Sequence, residues 1–390
     1  MFRKRHDKRY IFEKLEAFHQ MDMTYDSGRI LSSMCTKPDD IALEAFRMFI
    51  ETNLGDGGLF KGTSMMEEEV IASLAKLLHS DDACGHIVTG GTEANIMAMT
   101  VAKYLFQEDN DNTPELILPR TAHFSFKKAC SMLSLNTVEV PLNDKHKIDI
   151  ERLEDCITDN TMAIVAIAGS TEFGLVDDIG EISKIAKSND VYLHVDAALG
   201  GFIIPFLNYR NNTQLNFDFK CKGVSSITLD PHKMGLAPVP AGGILFRHKK
   251  YLDKLAIDAP YLTKNVQTTI VGTRTGATTA AAWALINYYG MDGYADIVEE
   301  SINLTRYTYN RLSQMNHVQV IVKPELNVIA FNVSDMKVNE LKEKLFKKGW
   351  RVSNTVNPYA VRLVLMPHVK KQHIDRFLVD LEEIIREYYS

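Results

Sequence analysis

The sequence has few cysteines, no excess of positive charge and no long apolar run. Its 390 residues include five cysteines, and their spacing fits neither a zinc site nor a Cys-x-x-Cys pair, so we expect reduced thiols and no metal. A net charge of −6 excludes the basic surface of a nucleic-acid-binding protein. The most apolar short stretch, residues 201–207, is too short to span a bilayer, and no apolar segment follows the basic N-terminus. We therefore expect a cytoplasmic protein with neither a membrane nor a nucleic-acid partner.

The pattern of short β-rich and helical stretches predicts an α/β fold. Between residues 85 and 246, β-rich runs alternate with helical patterns, which is typical of a mainly parallel sheet. The chain is long enough for one large domain and a smaller α+β domain after it. We accordingly divide it into an N-terminal helical segment (1–55), a large domain (56–290) and a small C-terminal domain (291–390).

Several element boundaries can also be predicted. Ser64 and Glu67 fit a capping box that opens a helix ending at Leu78. A long helical region after residue 272 is interrupted near Gly290 and Gly293. In the small domain, the pattern predicts a strand over 328–333, a helix over 338–348, strands around Arg351 and Arg362, and a final helix over 372–388.

The most informative single residue is a lysine that follows a predicted strand. Residues 227–229 form an apolar run, and Asp230-Pro231-His232-Lys233 comes directly after it. A lysine at this position can form a Schiff base with an aldehyde cofactor. Such a cofactor also requires an anion-binding turn and a carboxylate at the same edge of the sheet.

Three upstream segments supply those other groups. The turn at 89–92 is glycine-rich and runs straight into a helical stretch, whose free N–H groups and dipole favour an anion. His123 offers an imidazole suited to stacking on an aromatic ring. Asp196 ends the β-rich run 191–195, and the small residues after it leave room for a flat ring. Together with Lys233, these segments predict a site for pyridoxal phosphate, with Asp196 paired to the ring nitrogen.

Four ordered motifs resemble the signature set of the fold-type I, group II amino-acid decarboxylases, which use pyridoxal 5′-phosphate. They are Gly-Gly-Thr-Glu-Ala-Asn (90–95), Thr-Ala-His-Phe-Ser (121–125), His-Val-Asp-Ala-Ala (194–198) and Asp-Pro-His-Lys (230–233). Within that family the chain looks most similar to the archaeal L-tyrosine/L-aspartate decarboxylases, a match that extends through 51–56, 58–63, 258–262 and 364–368. The resemblance implies a large domain with a mainly parallel sheet and a small C-terminal domain.

The resemblance also implies which residues hold the cofactor and the substrate. The expected catalytic groups are Lys233, Asp196 and His123. The expected cofactor contacts are Gly91, Thr92 and His232 at the phosphate, His123 and Ala198 on the two faces of the ring, Ser170 near the ring hydroxyl or the substrate carboxylate, and Thr273 from the partner subunit of a homodimer. Arg362 is expected to bind the substrate carboxylate, although a structural pairing with an acid of the small domain is an equal alternative.

One segment departs from the aromatic amino-acid decarboxylases that the chain resembles. Those enzymes carry a long mobile loop with a tyrosine that protonates Cα, whereas residues 263–270 here are short and contain no tyrosine. Candidates for the proton donor are therefore Tyr261, His123 and Lys233. A substrate with a second carboxylate would also need a further cation, and Arg274, Lys61 and Arg29 are candidates.

Three functions are consistent with these residues. The first is decarboxylation of L-tyrosine to tyramine, of L-aspartate to β-alanine, or of both, which by resemblance would serve methanofuran or coenzyme A synthesis. The second is a carbon–carbon lyase of the sphingosine-phosphate-lyase type, which shares Asp-Pro-His-Lys but usually carries a membrane anchor. The third is a catalytically silent relative, against which the intact Lys233, Asp196 and His123 argue.

Overall fold

A computed structural model describes residues 5–211 and 213–390 of the chain. The α-helices of this part are α1 (Lys8–His19), α2 (Asp40–Met48), α3 (Lys61–Leu77), α4 (Gly91–Phe106), α5 (Phe124–Leu133), α6 (Ile150–Asp155), α7 (Ile179–Ser188), α8 (Ile204–Asn211), α9 (Lys249–Asp253), α10 (Ala277–Ser313), α11 (Val338–Lys347) and α12 (Lys371–Tyr389). The strands are β1 (Cys84–Val88), β2 (Glu115–Pro119), β3 (Asn136–Val140), β4 (Thr161–Ile167), β5 (Tyr192–Asp196), β6 (Val224–Leu229), β7 (Gly242–Phe246), β8 (Ile257–Asp258), β9 (Val266–Gln267), β10 (Val318–Val320), β11 (Val328–Val333), β12 (Ser353–Asn354) and β13 (Val361–Val364).

The large sheet has seven strands in the order β1-β7-β6-β5-β4-β2-β3, and all pairings except those of β7 are parallel. Strand β4 is buried along its whole length because helices cover both faces of the sheet. Its residues Ala163 and Val165 pack with α4 and α5, whereas Ile164 and Ala166 pack against the layer that contains α3, α7 and α8. This arrangement confirms the predicted mainly parallel α/β fold.

The pairing of β7 determines where the first strand points. Because β7 runs antiparallel to both β1 and β6, strand β1 runs parallel to β6. The carboxyl ends of β1, β2, β4, β5 and β6 therefore lie at one edge of the sheet. Ligands of parallel α/β sheets bind at such an edge.

The small domain is a four-stranded antiparallel sheet in the order β10-β11-β13-β12, packed against α11, α12 and the end of α10. Strand β11 coincides with the predicted 328–333, and α11 and α12 lie within one residue of the predicted helices. Strand β10 was not predicted. No helix in the described residues is both long enough and apolar enough to cross a membrane.

Within residues 5–55 the chain is α-helical in α1 and α2 but not between them, and residues 1–4 of the predicted helical segment (1–55) lie outside the described residues. Between α1 and α2 the chain crosses the small domain, where Leu31 is fully buried. The Leu31 N–H donates to the Arg351 carbonyl (2.8 Å), and the Val364 N–H donates to the Leu31 carbonyl (2.8 Å). This short stretch thus extends the small sheet. The domain boundaries after residues 55 and 290 stay predictions.

Two helices, α3 and α10, differ from their predicted boundaries. Helix α3 begins at Lys61, so Ser64 lies in its first turn, and the predicted capping box is wrong. The reason is that the Glu67 side chain turns inward and binds Arg274. Helix α10 does break at Gly290, whose φ of 54° lies in the left-handed region, but it continues without interruption through Gly293.

Candidate active site

A cavity of about 260 Å³ lies at the carboxyl edge of the large sheet. Seven of the predicted site residues line it: Gly91, Thr92, His123, Asp196, Ala198, His232 and Lys233. The other lining residues are Met34, Thr89, Gly90, Glu93, Asn95, Thr121, Ile167, Gly169, Thr171, Leu199 and Asp230. The structure thus brings most of the residues predicted from separate motifs into one space.

The lysine lies in a tight turn after β6 and contacts a buried acid. Lys233 Nζ is 3.2 Å from Asp230 Oδ2, and the Asp230 side chain is only 2% exposed. His232 Nδ1 accepts a hydrogen bond from the Ala241 N–H (3.0 Å), so the neutral ring carries its proton on Nε2. That Nε2 lies 3.6 Å from Asp230 Oδ2. Burial lowers the pKa of His232, which keeps the ring neutral at pH 7.

The glycine-rich turn between β1 and α4 is held by a glutamate. Glu93 Oε2 accepts hydrogen bonds from the N–H (2.8 Å) and the hydroxyl (2.7 Å) of Thr89. Glu93 Oε1 accepts from the Val271 N–H (3.2 Å), which ties the turn to the loop before α10. Gly90 has a φ of 144°, and a Cβ placed on Gly242 would lie 2.4 Å from the Gly90 Cα. Both glycines are therefore required for this close approach.

The predicted acid and the predicted stacking histidine are both held by hydrogen bonds. Asp196 Oδ1 accepts from the Ala198 N–H (3.1 Å), and Oδ2 accepts from Asn95 Nδ2 (3.0 Å). His123 caps helix α5 and its Nδ1 lies 3.0 Å from Ser125 Oγ. Burial is the main cause that lowers the pKa of His123, so the imidazole is neutral at pH 7.

Ser170, Tyr261 and Thr273 do not line the cavity. The Ser170 hydroxyl accepts hydrogen bonds from the backbone of its own turn, at Phe173 (3.4 Å) and Leu175 (3.2 Å), while its neighbours line the cavity. Tyr261 lies in the connection between β8 and β9 and is 85% exposed. Thr273 is exposed in the loop before α10. The cofactor contact expected of Ser170 stays a prediction.

Arg362 lies behind the cavity wall and is committed to protein acceptors. Its Nε donates to Ser353 Oγ (2.8 Å), one terminal nitrogen donates to the Ser32 carbonyl (3.0 Å), and the other donates to the Thr171 carbonyl. Among the described residues no carboxylate forms an ion pair with it, so the predicted structural alternative is not observed. Because Thr171 lines the cavity, the guanidinium is one residue away from it.

The additional cations considered for a substrate carboxylate are used elsewhere. Arg274 forms a buried ion pair with Glu67, and Arg29 stacks over the Trp350 ring at 4.9 Å. Lys61 is an exposed residue at the start of α3. Lys233 is the sole lysine or arginine that the described residues contribute to the cavity lining.

The lining residues fit pyridoxal phosphate. Helix α4 begins at the cavity, and its cap, Gly90, supplies no side-chain acceptor, so backbone N–H groups of the first turn are available to an anion. A Cβ on Gly91 would lie 3.0 Å from Asp230 Oδ2 and 3.3 Å from the Ala198 Cβ, so glycine keeps this part of the cavity open. The Asp230 charge opposes a phosphate at the turn, but the Lys233 ammonium lies 3.2 Å from Asp230 Oδ2 and offsets that charge.

Sequence reasoning missed two residues of the site. Asn95 and Asp230 lie within the motifs Gly-Gly-Thr-Glu-Ala-Asn and Asp-Pro-His-Lys, yet neither was given a role. The partners of Asn95 lie on β5 and β6, which no local pattern shows, whereas Asp230 contacts its sequence neighbours His232 and Lys233. Met34 and Thr171 line the cavity without any sequence signal.

The chain is similar to several known proteins. Residues 62–334 match the pyridoxal-dependent decarboxylase conserved domain. A probable L-tyrosine/L-aspartate decarboxylase of Methanosphaera stadtmanae is 69% identical over 387 residues, which cover 99% of this chain and 100% of that protein. An L-aspartate/L-glutamate decarboxylase of Pyrococcus horikoshii is 45% identical over 380 residues, covering 97% of each chain. The structure of a sphingosine-1-phosphate lyase of Burkholderia pseudomallei matches with a TM-score of 0.91 at 25% identity, covering 99% of this chain and 92% of that one.

Proposed function

The chain belongs to the family of pyridoxal-dependent decarboxylases, and from this premise we propose that it decarboxylates L-tyrosine to tyramine, L-aspartate to β-alanine, or both. The expected cofactor, pyridoxal phosphate, and the expected class, a carboxy-lyase, are confirmed by the family. One observation carries the proposal: Lys233, Asp196, His123 and the start of α4 meet in one cavity.

Bound pyridoxal phosphate supplies an aldehyde that links to an amino group and a ring that accepts the electron pair of the broken bond. We propose that Lys233 would hold the aldehyde and that Asp196 would hold a proton on the ring nitrogen. His123 would lie on one side of the ring and Ala198 on the other. Backbone N–H groups of Gly91 and Thr92, together with His232, would bind the phosphate.

The main task of these side chains is orientation. Loss of carbon dioxide requires the Cα–carboxylate bond to stand perpendicular to the ring, so the groups that bind this carboxylate determine the rate. We propose that Arg362 contributes here, because its guanidinium is separated from the cavity only by Thr171, and five N–H groups leave donors beyond the three it uses.

For the return of a proton to Cα, His123 and Lys233 are the better-supported candidates. Both line the cavity, whereas Tyr261 of the same chain is 85% exposed and outside it. Tyr261 could donate this proton only if it came from a second subunit.

The choice between tyrosine and aspartate depends on the side-chain end of the cavity. The phenol of tyrosine needs an apolar slot with one hydrogen-bonding group, whereas the second carboxylate of aspartate needs a second cation. Since Lys233 is the sole lysine or arginine lining the described cavity, and Arg362 is proposed to bind the α-carboxylate, this second cation would come from a partner subunit. Both substrates therefore stay within the proposal.

Assembly and cellular role are further parts of the same proposal. We propose a homodimer in which Thr273 of one subunit reaches the phosphate site of the other, since Thr273 is exposed and outside the cavity of its own chain. A cytoplasmic location is supported by five free cysteines. A contribution to methanofuran or coenzyme A synthesis would follow from tyramine or β-alanine as the product.

The deciding experiment is incubation of the purified protein and pyridoxal phosphate with tyrosine, aspartate and glutamate separately, with measurement of amine and carbon dioxide. We expect amine from tyrosine or aspartate, none from Lys233→Ala, and full activity from Lys249→Ala, which removes an exposed lysine (82% exposed side chain). Lysine-dependent cofactor binding without any amine would overturn the decarboxylase. Cleavage of a phosphorylated sphingoid base would then support the lyase.

A further inference from the structure

Asn95 lies at the centre of a buried hydrogen-bond network beneath the cavity. Its side chain, on the first turns of α4, is 1% exposed and lines the cavity. Nδ2 donates to Asp196 Oδ2 (3.0 Å) and to Ser125 Oγ (3.0 Å). Oδ1 accepts from Thr228 Oγ1 (2.8 Å) and from His194 Nε2 (3.0 Å). All four hydrogen-bonding positions of the amide are therefore used.

The partners fix which way the amide points. A carboxylate accepts hydrogen bonds and does not donate them, so the nitrogen of Asn95 must face Asp196 and the oxygen must face His194. His194 Nε2 therefore carries a proton, and Nδ1 accepts from Ser226 Oγ (2.8 Å). Burial lowers the pKa of His194 to about 4, so this neutral tautomer persists at pH 7.

The second branch of the network reaches the stacking histidine. His123 Nδ1 accepts a hydrogen bond from the Ser125 backbone N–H (3.3 Å), so the neutral ring carries its proton on Nε2. Ser125 Oγ, which accepts from Asn95, lies 3.0 Å from the same Nδ1. One amide thus contacts the acid that is proposed to face the ring nitrogen and, through one hydroxyl, orients the imidazole that is proposed to cover the ring.

We propose that Asn95 is a positioning residue that holds the Asp196 carboxylate against the ring nitrogen of the cofactor and, through the Ser125 hydroxyl, helps to orient the His123 ring. This inference rests on the proposed placement of the cofactor. Asn95 acts through Asp196 and Ser125 rather than on the substrate. Loss of the Asn95 side chain should therefore change the ratio of the protein's affinities for a cofactor with a ring nitrogen and for an analogue with a carbon in its place.

The test measures dissociation constants by equilibrium dialysis for two ligands, pyridoxal phosphate and an analogue with a CH group in place of the ring nitrogen. For Asn95→Ala we expect about ten- to a hundredfold weaker binding of pyridoxal phosphate, the usual effect of a lost hydrogen bond to a charged group. Binding of the analogue should change by less than about threefold, because it has no nitrogen for Asp196 to hold. The absorption spectrum of bound pyridoxal phosphate should also change.

Two further variants separate the branches. Thr228→Val removes one donor to the Asn95 oxygen but leaves the Asp196 contact, so it should change neither affinity by more than about threefold. Ser125→Ala interrupts only the His123 branch, so any loss of affinity should be equal for both ligands. Circular dichroism would show whether Asn95→Ala folds. If it does not, Asn95→Ser takes its place, because the serine hydroxyl is too short to make the hydrogen bonds of the amide.

The outcomes separate this inference from the proposed function. If Asn95→Ala, or Asn95→Ser where that form is used, loses affinity equally for both ligands, Asn95 has only a structural role and the inference is overturned. Unchanged affinity for both would overturn it as well. A wild-type protein that binds the two ligands equally well would instead contradict the placement of Asp196 at the ring nitrogen. Amine formation by the wild-type enzyme is measured separately.

Discussion

Lys233 Nζ lies 3.2 Å from Asp230 Oδ2, and a Cβ placed on Gly91 would lie 3.0 Å from the same oxygen. A buried negative charge is thus placed between the lysine and the turn that is proposed to bind phosphate. Such a charge attracts the Lys233 ammonium and repels the phosphate. The balance between these two effects can be measured.

Asp230→Asn should strengthen binding of pyridoxal phosphate by about tenfold, because repulsion between a carboxylate and a phosphate a few ångströms apart is removed. Fluorescence titration of the cofactor-free protein would measure it. Asp253→Asn removes the same formal charge at a position 57% exposed and should have no effect. Weaker cofactor binding in Asp230→Asn would mean that the attraction between Asp230 and Lys233 matters more for binding than the repulsion of the phosphate.

The buried pair of Glu67 and Arg274 makes a prediction about acid stability. Burial raises the pKa of Glu67, but the Arg274 guanidinium and the neighbouring His86 ring outweigh burial and hold this pKa at about 2, below its ordinary 4.5. A carboxyl with a lowered pKa in the folded state stabilises the protein above pH 4.5, and this contribution disappears as the pH falls from 4.5 towards 2. Glu67→Gln should therefore lower the free energy of unfolding by about 3 kcal/mol at pH 7 and by much less at pH 3.

Urea unfolding at the two pH values would measure this difference. Adding Arg274→Met to Glu67→Gln removes the charge that was left unpaired and should recover most of the loss at pH 7. A penalty equal at pH 3 and pH 7 would be inconsistent with ionised Glu67 as the source of the stability.

Arg362→Lys tests whether the guanidinium binds substrate or only joins the two domains. An ammonium cannot replace a planar bidentate group, so we expect KM for the amino acid to rise about tenfold with a smaller change in kcat. The free energy of unfolding should also fall by about 1 to 3 kcal/mol, since acceptors at Ser32 and Thr171 lose their donors. Lower stability with an unchanged KM would leave Arg362 a purely structural role.

Leu31→Ala should cost about 2 to 5 kcal/mol in the free energy of unfolding, because a fully buried leucine in the small-domain core leaves a cavity when truncated. Leu59→Ala is the matched control, since Leu59 is 68% exposed. Urea unfolding of both variants would measure the difference. Equal, small effects would show that the segment before α2 is not anchored in the small domain.

The sequence predicted those parts of the site that follow strand ends. Lys233, Asp196 and His123 each come after an apolar run, and parallel strands bring their carboxyl ends together, so local pattern and sheet geometry suffice. Asn95 could not be found this way, because its partners Asp196, His194 and Thr228 lie on two other strands. The same holds for Leu31, whose burial depends on a contact with β13.

The failed helix start has a related cause. A capping box at Ser64 is reasonable locally, but Glu67 has a stronger partner in Arg274, more than two hundred residues later along the chain. Likewise, Arg274 and Arg29 looked available to a substrate because the sequence does not reveal that Glu67 and Trp350 already engage them. Charged groups at long sequence separation were the least predictable part of the fold.

The order of strands in the large sheet also bears on how the protein is synthesised. Strand β1 lies at the sheet edge, and its neighbour there is β7, with Cys84 opposite Phe246. A nascent chain that has left the ribosome only as far as β6 therefore has no sheet neighbour for β1 and no anchor for the turn after it. The cofactor pocket can close only once about two thirds of the polypeptide has been translated, so pyridoxal phosphate would be captured late in synthesis or after release.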